Sequence, residues 1–549
     1  MAKWYQDMSF YQIWPRSFMD GNGDGIGDIA GVTEKLDYIQ SLGVEGIWFS
    51  PLYPSPNADY GYDVADYTDI HPDYGTLDDF KALLGELHRR GMKLLMDLVI
   101  NHTSDEHPWF QASRRRIEPY TDYYVWRPAG KGGKLPNNWD SLFEGKAWEW
   151  DEVRGEYYLH LFAKKQPDLN MDNPAVRAEV EKILRFWLDL GVDGFREDVI
   201  TFISKADGLP DDRLMPAARG LRFYSCGPRL HEYLSQFRAV TNEYDCVTVG
   251  EAARMSPQKA LTFVGGDDRV LDMFINFDHM GADCFMIDYI RRPFSLRALK
   301  RPLSRWQTEL RGRGWNVLYL ENHDHPRVIS RYGSEKYRVE SGKMLAAMYL
   351  LLQGTAFVYQ GQELGMTDLD LPSIEDYPDV YTQQYYLRLK KVLGDRIAQR
   401  WTKAGSRVSA RTPVQWTAGE NAGFSPPGVT PWLAVNPNCR EINAASQEDD
   451  PDSLLNFYRA LLRFRKEPVI RRGTYREFAP ADRRFYIYER AYEGERILVV
   501  CSFTEKQAAF PAPYSLEGAE KLFGNYPGCP DAMRPYEVRV YRLRGRRDP

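Results

Sequence analysis

The stretch GVDGFREDVI, Gly191 to Ile200, carries two messages in ten residues. Its first half is a short β-forming run. Its second half ends in charge, Arg196, Glu197 and Asp198. An unpaired carboxylate costs several kcal/mol or more, roughly, to bury in a strand, so a strand ending in Arg-Glu-Asp marks a place where charge is used. Just upstream, NPAVRAEVEKILRFWLDLG reads as a helix with Pro174 inside its start and Gly191 past its end.

The same alternation recurs along the chain. Strands are predicted at SFYQIW (9–14), GIWFS (46–50), KLLMDLVI (93–100), CVTVGE (246–251), MFINF (273–277), NVLYLEN (316–322) and AFVYQG (356–361). Amphipathic segments lie between them. In TLDDFKALLGELHRRG, Leu77, Phe80, Leu83, Leu84 and Leu87 form one stripe that Gly91 ends. Eight repeats favour an α/β fold of the closed (β/α)8, or TIM barrel, type. A doubly wound sheet would carry a glycine-rich phosphate loop after its first strand, and none is present.

Two regions break the rhythm. Residues 103–170, rich in Trp, Tyr, Pro and Gly, form an inserted subdomain after the third strand, so the barrel spans 1–102 and 171–472. From residue 473 the period changes to two in FYIYER, RILVVCSF, QAAFPA and EVRVYRL, which predicts a C-terminal antiparallel β-sandwich domain over 473–549. The tail RGRRDP (544–549) is expected to be disordered.

Composition narrows the function. Of 549 residues 43% are hydrophobic, enough for a large core, and the net charge of −6 offers no basic footprint for nucleic acid or anionic membrane. No signal core or apolar run of membrane-spanning length occurs, and six scattered cysteines without a CxxC pair suit free thiols. The expectation is a soluble, cytoplasmic monomer without an organic cofactor.

The acids fall at strand ends. The third strand offers Asp97, Asn101 and His102, the fourth Arg196 and Asp198, the fifth Glu251, and the seventh His323 and Asp324. In a barrel these ends converge on one mouth. Such a cluster suits glycoside hydrolysis, which needs one ionised and one protonated carboxyl, roughly 5–5.5 Å apart in retaining enzymes. Arg196, on the same strand face as Asp198, is expected to keep that acid ionised. Glu251, with no adjacent cation in sequence, is expected to stay protonated through desolvation. Glu197 points the other way by strand alternation.

The segments DLVINH, GFREDVI, VTVGEA and ENHDHP together resemble the α-amylase superfamily, glycoside hydrolase family thirteen, over nearly the whole chain. The resemblance implies Asp198 as nucleophile, Glu251 as general acid/base and Asp324 as transition-state stabiliser, with His102, Arg196 and His323 around the reacting sugar. QPDLN, containing Gln166, resembles oligo-1,6-glucosidases and dextran glucosidases. By the same likeness Asp59 and Tyr62 clamp the terminal glucose, Phe143 and Phe162 wall it, and Arg411 of ARTPVQW closes the pocket. Val199 after the nucleophile resembles enzymes that prefer α-1,6 links.

The implied function is a retaining, exo-acting α-glucosidase that hydrolyses α-1,6 bonds at the non-reducing end of isomalto-oligosaccharides through a covalent glucosyl-enzyme intermediate. The alternatives are glucosyl transfer of the sucrose isomerase or trehalose synthase type, an α-1,4-preferring α-glucosidase, and a non-catalytic amylase-like ectodomain. The segment Arg291 to Arg313 is basic but lacks the RLDRD-type loop associated with sucrose isomerisation. The family pattern is broken at Glu197, at Met171 and at His325, the last two expected near the leaving sugar.

One stretch remains. DGNGDGIGD, 20–28, places oxygen-bearing residues at alternate positions, but loop position twelve, where a calcium sensor needs glutamate, is Gly31. It resembles the calcium loop of this enzyme branch. That implies a structural Ca2+, with Mg2+ as the other choice, held by Asp20, Asn22, Asp24, Asp28 and the Ile26 carbonyl.

Overall fold

The computed structural model describes residues 3–543 apart from 144, 215–217, 254, 286 and 514, so the RGRRDP tail lies outside it. Eight parallel strands form the centre: β1 (Ser9–Ile13), β2 (Gly46–Phe49), β3 (Lys93–Leu98), β4 (Gly194–Glu197), β5 (Val247–Ala252), β6 (Met273–Asn276), β7 (Val317–Leu318) and β8 (Thr355–Tyr359). Their order is β7-β8-β1-β2-β3-β4-β5-β6, and a parallel bridge between Phe274 and Asn316 joins β6 to β7. The predicted barrel is what the chain forms.

Its interior is a packed core of Phe10, Trp48, Leu95, Val249, Ile275 and Phe357, not a pore. Gly46 is required here: a Cβ would stand 2.4 Å from the Phe10 ring. Outside the barrel, helix α1 (Leu77–Arg89) buries Phe80, Leu83, Leu84 and Leu87 and begins at a capping box between Thr76 and Asp79. Helix α2 (Pro174–Asp189) begins at Pro174, as its sequence implies, and is capped by Asn173.

The inserted subdomain is a small antiparallel sheet, Trp126–Arg127, Glu156–Leu159 and Trp148–Asp151 in spatial order, tied back to the barrel by bridges His102–Asp168 and Tyr124–Leu169. The basic segment forms helix α3 (Leu296–Glu309), whose Lys300 donates to the carbonyls of Ala479 and Phe485 at 3.0 Å each.

The C-terminal region is antiparallel, as expected, and its two sheets differ in size. The larger has five strands, β9 (Thr474–Phe478), β10 (Phe485–Tyr492), β11 (Glu495–Ser502), β12 (Glu520–Gly524) and β13 (Val538–Leu543), ordered β9-β10-β11-β13-β12. A two-stranded ladder, Ala508–Ala509 with Ala532–Met533, lies beside it. The two faces of the larger sheet have different partners. Tyr486, Tyr488, Val499, Cys501 and Val540 join the main core beside the buried helix α4 (Arg338–Leu350), while Phe485, Ile487, Leu498 and Val500 face a small satellite core. A helix of the barrel layer covers one face of the sheet, and the two-stranded ladder, through Met533 and Ala508, packs on the other.

Candidate active site

Strand register builds the centre of the mouth. Asp97 on β3 lies opposite Arg196 on β4, which lies opposite Val249 on β5. Since alternate residues share a face, Asp198 and Glu251 rise two positions further along on the same side. Arg196 then becomes a fork. Its Nη1 donates to Asp198 Oδ1 at 2.8 Å and to Asp97 Oδ1 at 2.6 Å, and its Nη2 to Glu251 Oε2 at 2.6 Å. Two carboxyl oxygens held by the two terminal nitrogens of one rigid guanidinium lie within about 8 Å of each other.

This corrects the expectation that only Asp198 has a cation: the same Arg196 holds Glu251. Linear spacing hides the contact because it spans adjacent strands. Three carboxyls around one guanidinium carry excess negative charge. Burial raises the Asp198 carboxyl above its ordinary range despite Arg196, with Glu251, Asp97 and Asp324 pushing the same way. Burial likewise pushes Asp97 up, to about 6. Asp97 and Asp198 therefore titrate together around Arg196, and the ionised Asp198 that can attack is one microstate of that pair.

One end of the pocket is closed by charge. Arg407 donates to Asp59 Oδ1 at 2.6 Å, to Asp324 Oδ1 at 2.9 Å and to Asp379 Oδ1 at 2.7 Å. Tyr381 and Phe143 stack at a centroid distance of 4.6 Å and both lie beside the Arg407 guanidinium. Tyr62 donates to Asp97 at 3.0 Å, and its ring lies 5.3 Å from that of His323, nearly parallel. Asp324 is held well below the ordinary carboxylate range: burial opposes this, but His323, Arg407 and Arg411 outweigh it.

The cavity these residues enclose, about 240 Å³, is lined by Asp59, Tyr62, His102, Phe143, Phe162, Asp198, Val199, Glu251 and Asp324, among others. A larger cleft of about 1080 Å³ lies between α3 and the β9–β10 turn, but Glu477 is its one carboxylate and no acid pair faces it. The chemistry belongs to the smaller cavity.

A match to the α-amylase catalytic domain covers residues 12–473. The chain belongs to the α-amylase family. It is 48% identical over 560 residues to an oligo-1,6-glucosidase of Parageobacillus thermoglucosidasius, covering 98% of this chain and 99% of the relative. Among solved structures it is similar to the trehalose-6-phosphate hydrolase of Bacillus licheniformis, with TM-score 0.92, 42% identity and coverage of 99% and 100% of the two chains. It is also similar to the trehalulose synthase of Pseudomonas mesoacidophila MX-45, with TM-score 0.93, 40% identity and coverage of 99% and 100%. The protein is a glycoside hydrolase of this family.

Against the family pattern, the remaining predicted residues sort into two shells. Gln166, His323 and Arg196 do not line the cavity; they stand behind it. Gln166 donates to Asp59 at 3.2 Å and contacts His102 Nε2 at 3.2 Å. His102 and His323 are both kept neutral by burial, their pKa values lowered to about 4. Gln12 lies 2.8 Å from His323 Nδ1 and leaves Nε2 to face Tyr62 and Asp324.

Arg411 is the second correction. It stacks on Trp14 and reaches Asp324 from behind at 3.2 Å, whereas the arginine that closes the pocket is Arg407, four residues earlier in GSRVSAR. Two arginines on the same 3-10 segment, Arg407–Arg411, cannot be ranked by sequence alone. Asp379 and Tyr381 also went unread, because the long excursion after β8 has no strand-end signature. His325 does line the cavity; Met171 does not.

The loop 20–28 turns its carboxylates onto its own backbone. Asp20 accepts from the amides of Gly23 and Gly25 at 2.6 and 2.8 Å, and Asp28 from those of Asn22 and Gly31 at 3.0 and 2.7 Å. Among the described residues no three acidic, His or Cys side chains converge as a metal cluster. Yet both Asp20 and Asp28 are buried, and neither forms an ion pair with a Lys or Arg side chain among the described residues. Hard oxygen donors with uncompensated charge suit a cation such as Ca2+.

Proposed function

We propose that this enzyme removes the terminal glucose from the non-reducing end of short α-1,6-linked oligosaccharides, with retention at the anomeric carbon. The observation that carries the reading is the Arg196 fork set beside a pocket closed at one end by Arg407 and Asp59. A closed end admits one sugar ring and ends there, which implies exo action. Asp198 attacks the anomeric carbon while a proton from Glu251 goes to the departing glycosidic oxygen. Glu251, now ionised, takes a proton from water, whose oxygen displaces Asp198 from the sugar. Asp324 grips hydroxyls of the flattening ring. The α-1,6 preference is supported by Val199 and by the oligo-1,6-glucosidase relative.

Asp198→Asn is expected to reduce turnover of isomaltose by about 10⁴-fold or more, and proton NMR of the first product is expected to show the α-anomer. Near-normal turnover in the variant, or initial β-glucose, would overturn the reading. Sucrose offered as sole substrate should yield no isomeric disaccharide; its appearance would place the chain with the glucosyl-transfer enzymes instead. Asp20, Asn22, Asp24, Asp28 and the Ile26 carbonyl are proposed to hold a structural Ca2+ (or Mg2+) that pins the loop after β1. The six free cysteines support work in a reducing cytoplasm.

A further inference from the structure

His325 and Asp288 form a pair on the cavity wall that the hydrolytic reading leaves unused. His325 Nδ1 lies 2.8 Å from Asp288 Oδ2, and both side chains line the cavity. His325 is only 5% exposed, and its Nε2 is buried without a hydrogen-bond partner. A buried ring nitrogen without a partner is costly unless something arrives to pair with it. Behind the pair, Arg331 Nη2 donates to Asp288 Oδ1 at 3.1 Å, and Phe277 packs edge-on against the His325 ring at 5.7 Å. Asp283 in turn pairs with Arg331 and Arg291.

These partners come from the turn after β6 and the helix after β7, not from the closed end that holds Asp59 and Arg407. Among the described cavity-lining residues Arg407 is the single Lys or Arg, and three carboxylates already occupy it. The described part of the wall therefore offers an aromatic face, a carboxylate and a ring nitrogen to an incoming group.

We infer that His325 and Asp288 are specificity-determining residues for the leaving sugar: they bind hydroxyls of a neutral second sugar and reject one that carries a phosphate. The inference rests on the hydrolytic function proposed above. Nε2 would meet one hydroxyl, and the Asp288 carboxylate, anchored by Arg331, would accept from another. A phosphate brought to the same wall would meet the Asp288 carboxylate, and like charge there costs binding.

The test compares three substrates. Relative to wild type, Asp288→Asn and His325→Asn are each expected to lose about tenfold more kcat/KM on isomaltose than on p-nitrophenyl α-glucoside, whose leaving group has no sugar hydroxyls. The excess should appear in KM. Wild type is expected to leave trehalose-6-phosphate uncleaved, while Asp288→Lys gains measurable hydrolysis of it. An isomaltose to p-nitrophenyl glucoside ratio unchanged in both Asn variants would overturn the inference, as would wild-type cleavage of trehalose-6-phosphate comparable with isomaltose. If either variant folds poorly, His325→Gln reads the same ratio. Failure of wild type to cleave even p-nitrophenyl α-glucoside would instead sink the proposed function, so the two failures are distinguishable.

Discussion

At the residue scale the chain depends on side chains whose neighbours decide their charge. Glu197 follows Arg196 on β4 and points away from the cavity, as alternation requires. Its carboxyl is fully buried among Arg238 and Asp272, and burial pushes its pKa up to about 8, with Arg238 opposing. A group that holds its proton more tightly in the folded chain stabilises it fully below its unfolded pKa and loses that contribution as pH rises through about 8. Glu197→Gln is therefore expected to flatten the fall in stability between pH 5 and 9, leaving the variant roughly 1–3 kcal/mol more stable than wild type at the alkaline end; urea titrations across that range would read it. Val199 sits in the left-handed region, φ 37° and ψ 37°, and its amide donates to Glu251 at 3.2 Å. A β-branched residue there is strained, and it places the side chain in the cavity wall. Val199→Thr keeps the branch and adds a hydroxyl. It should raise maltose hydrolysis relative to isomaltose by a factor equivalent to about 1–3 kcal/mol, and an unchanged ratio of the two rates would remove Val199 from the linkage argument.

At the element scale the loops matter more than the strands. The strands align Asp97, Arg196 and Glu251 through register alone. The closed end, in contrast, is built by the excursion after β8, whose segment Arg407–Arg411 brings Arg407 back against Asp59, 348 residues away in sequence. The loop 20–28 is tied to this excursion too: the Asp20 amide donates to the Phe424 carbonyl at 3.0 Å, and the Trp432 amide to the Gly25 carbonyl at 2.9 Å. Removing a bound cation should therefore loosen more than one loop. Treatment with a calcium chelator is expected to lower Tm by several degrees, restored by added Ca2+, while the pH profile of activity keeps its shape. A melting curve indifferent to chelator would mean that the loop holds no ion.

At the scale of the whole molecule, the barrel and the C-terminal sheet share one core. Tyr488 donates to the Met348 carbonyl at 2.9 Å, and the buried Arg465 guanidinium donates to the carbonyls of Leu350, Leu352 and Gly354. Because the sheet covers α4, a chain ending at residue 473 would expose that helix's apolar surface. It is expected to be insoluble, and the full chain is expected to unfold in a single calorimetric transition rather than two; a soluble, active truncated chain would contradict this.

The contrast between these scales explains what could be read in advance. Periodicity is local, so the sequence alone determined the eight strands and two helices, and with them the placing of Asp198, Glu251 and Asp324 at or after strand ends: a strand's alternation and a helix's stripe are written in neighbouring positions. The interrupted period likewise marked residues 103–170 as an insertion. Three things were decided only by the tertiary structure. Arg196 serves both acids, Arg407 rather than Arg411 closes the pocket, and a barrel helix covers one face of the C-terminal sheet. Each depends on contacts between positions tens to hundreds of residues apart, and such contacts are set by how the elements pack in space, which no local pattern of residues records.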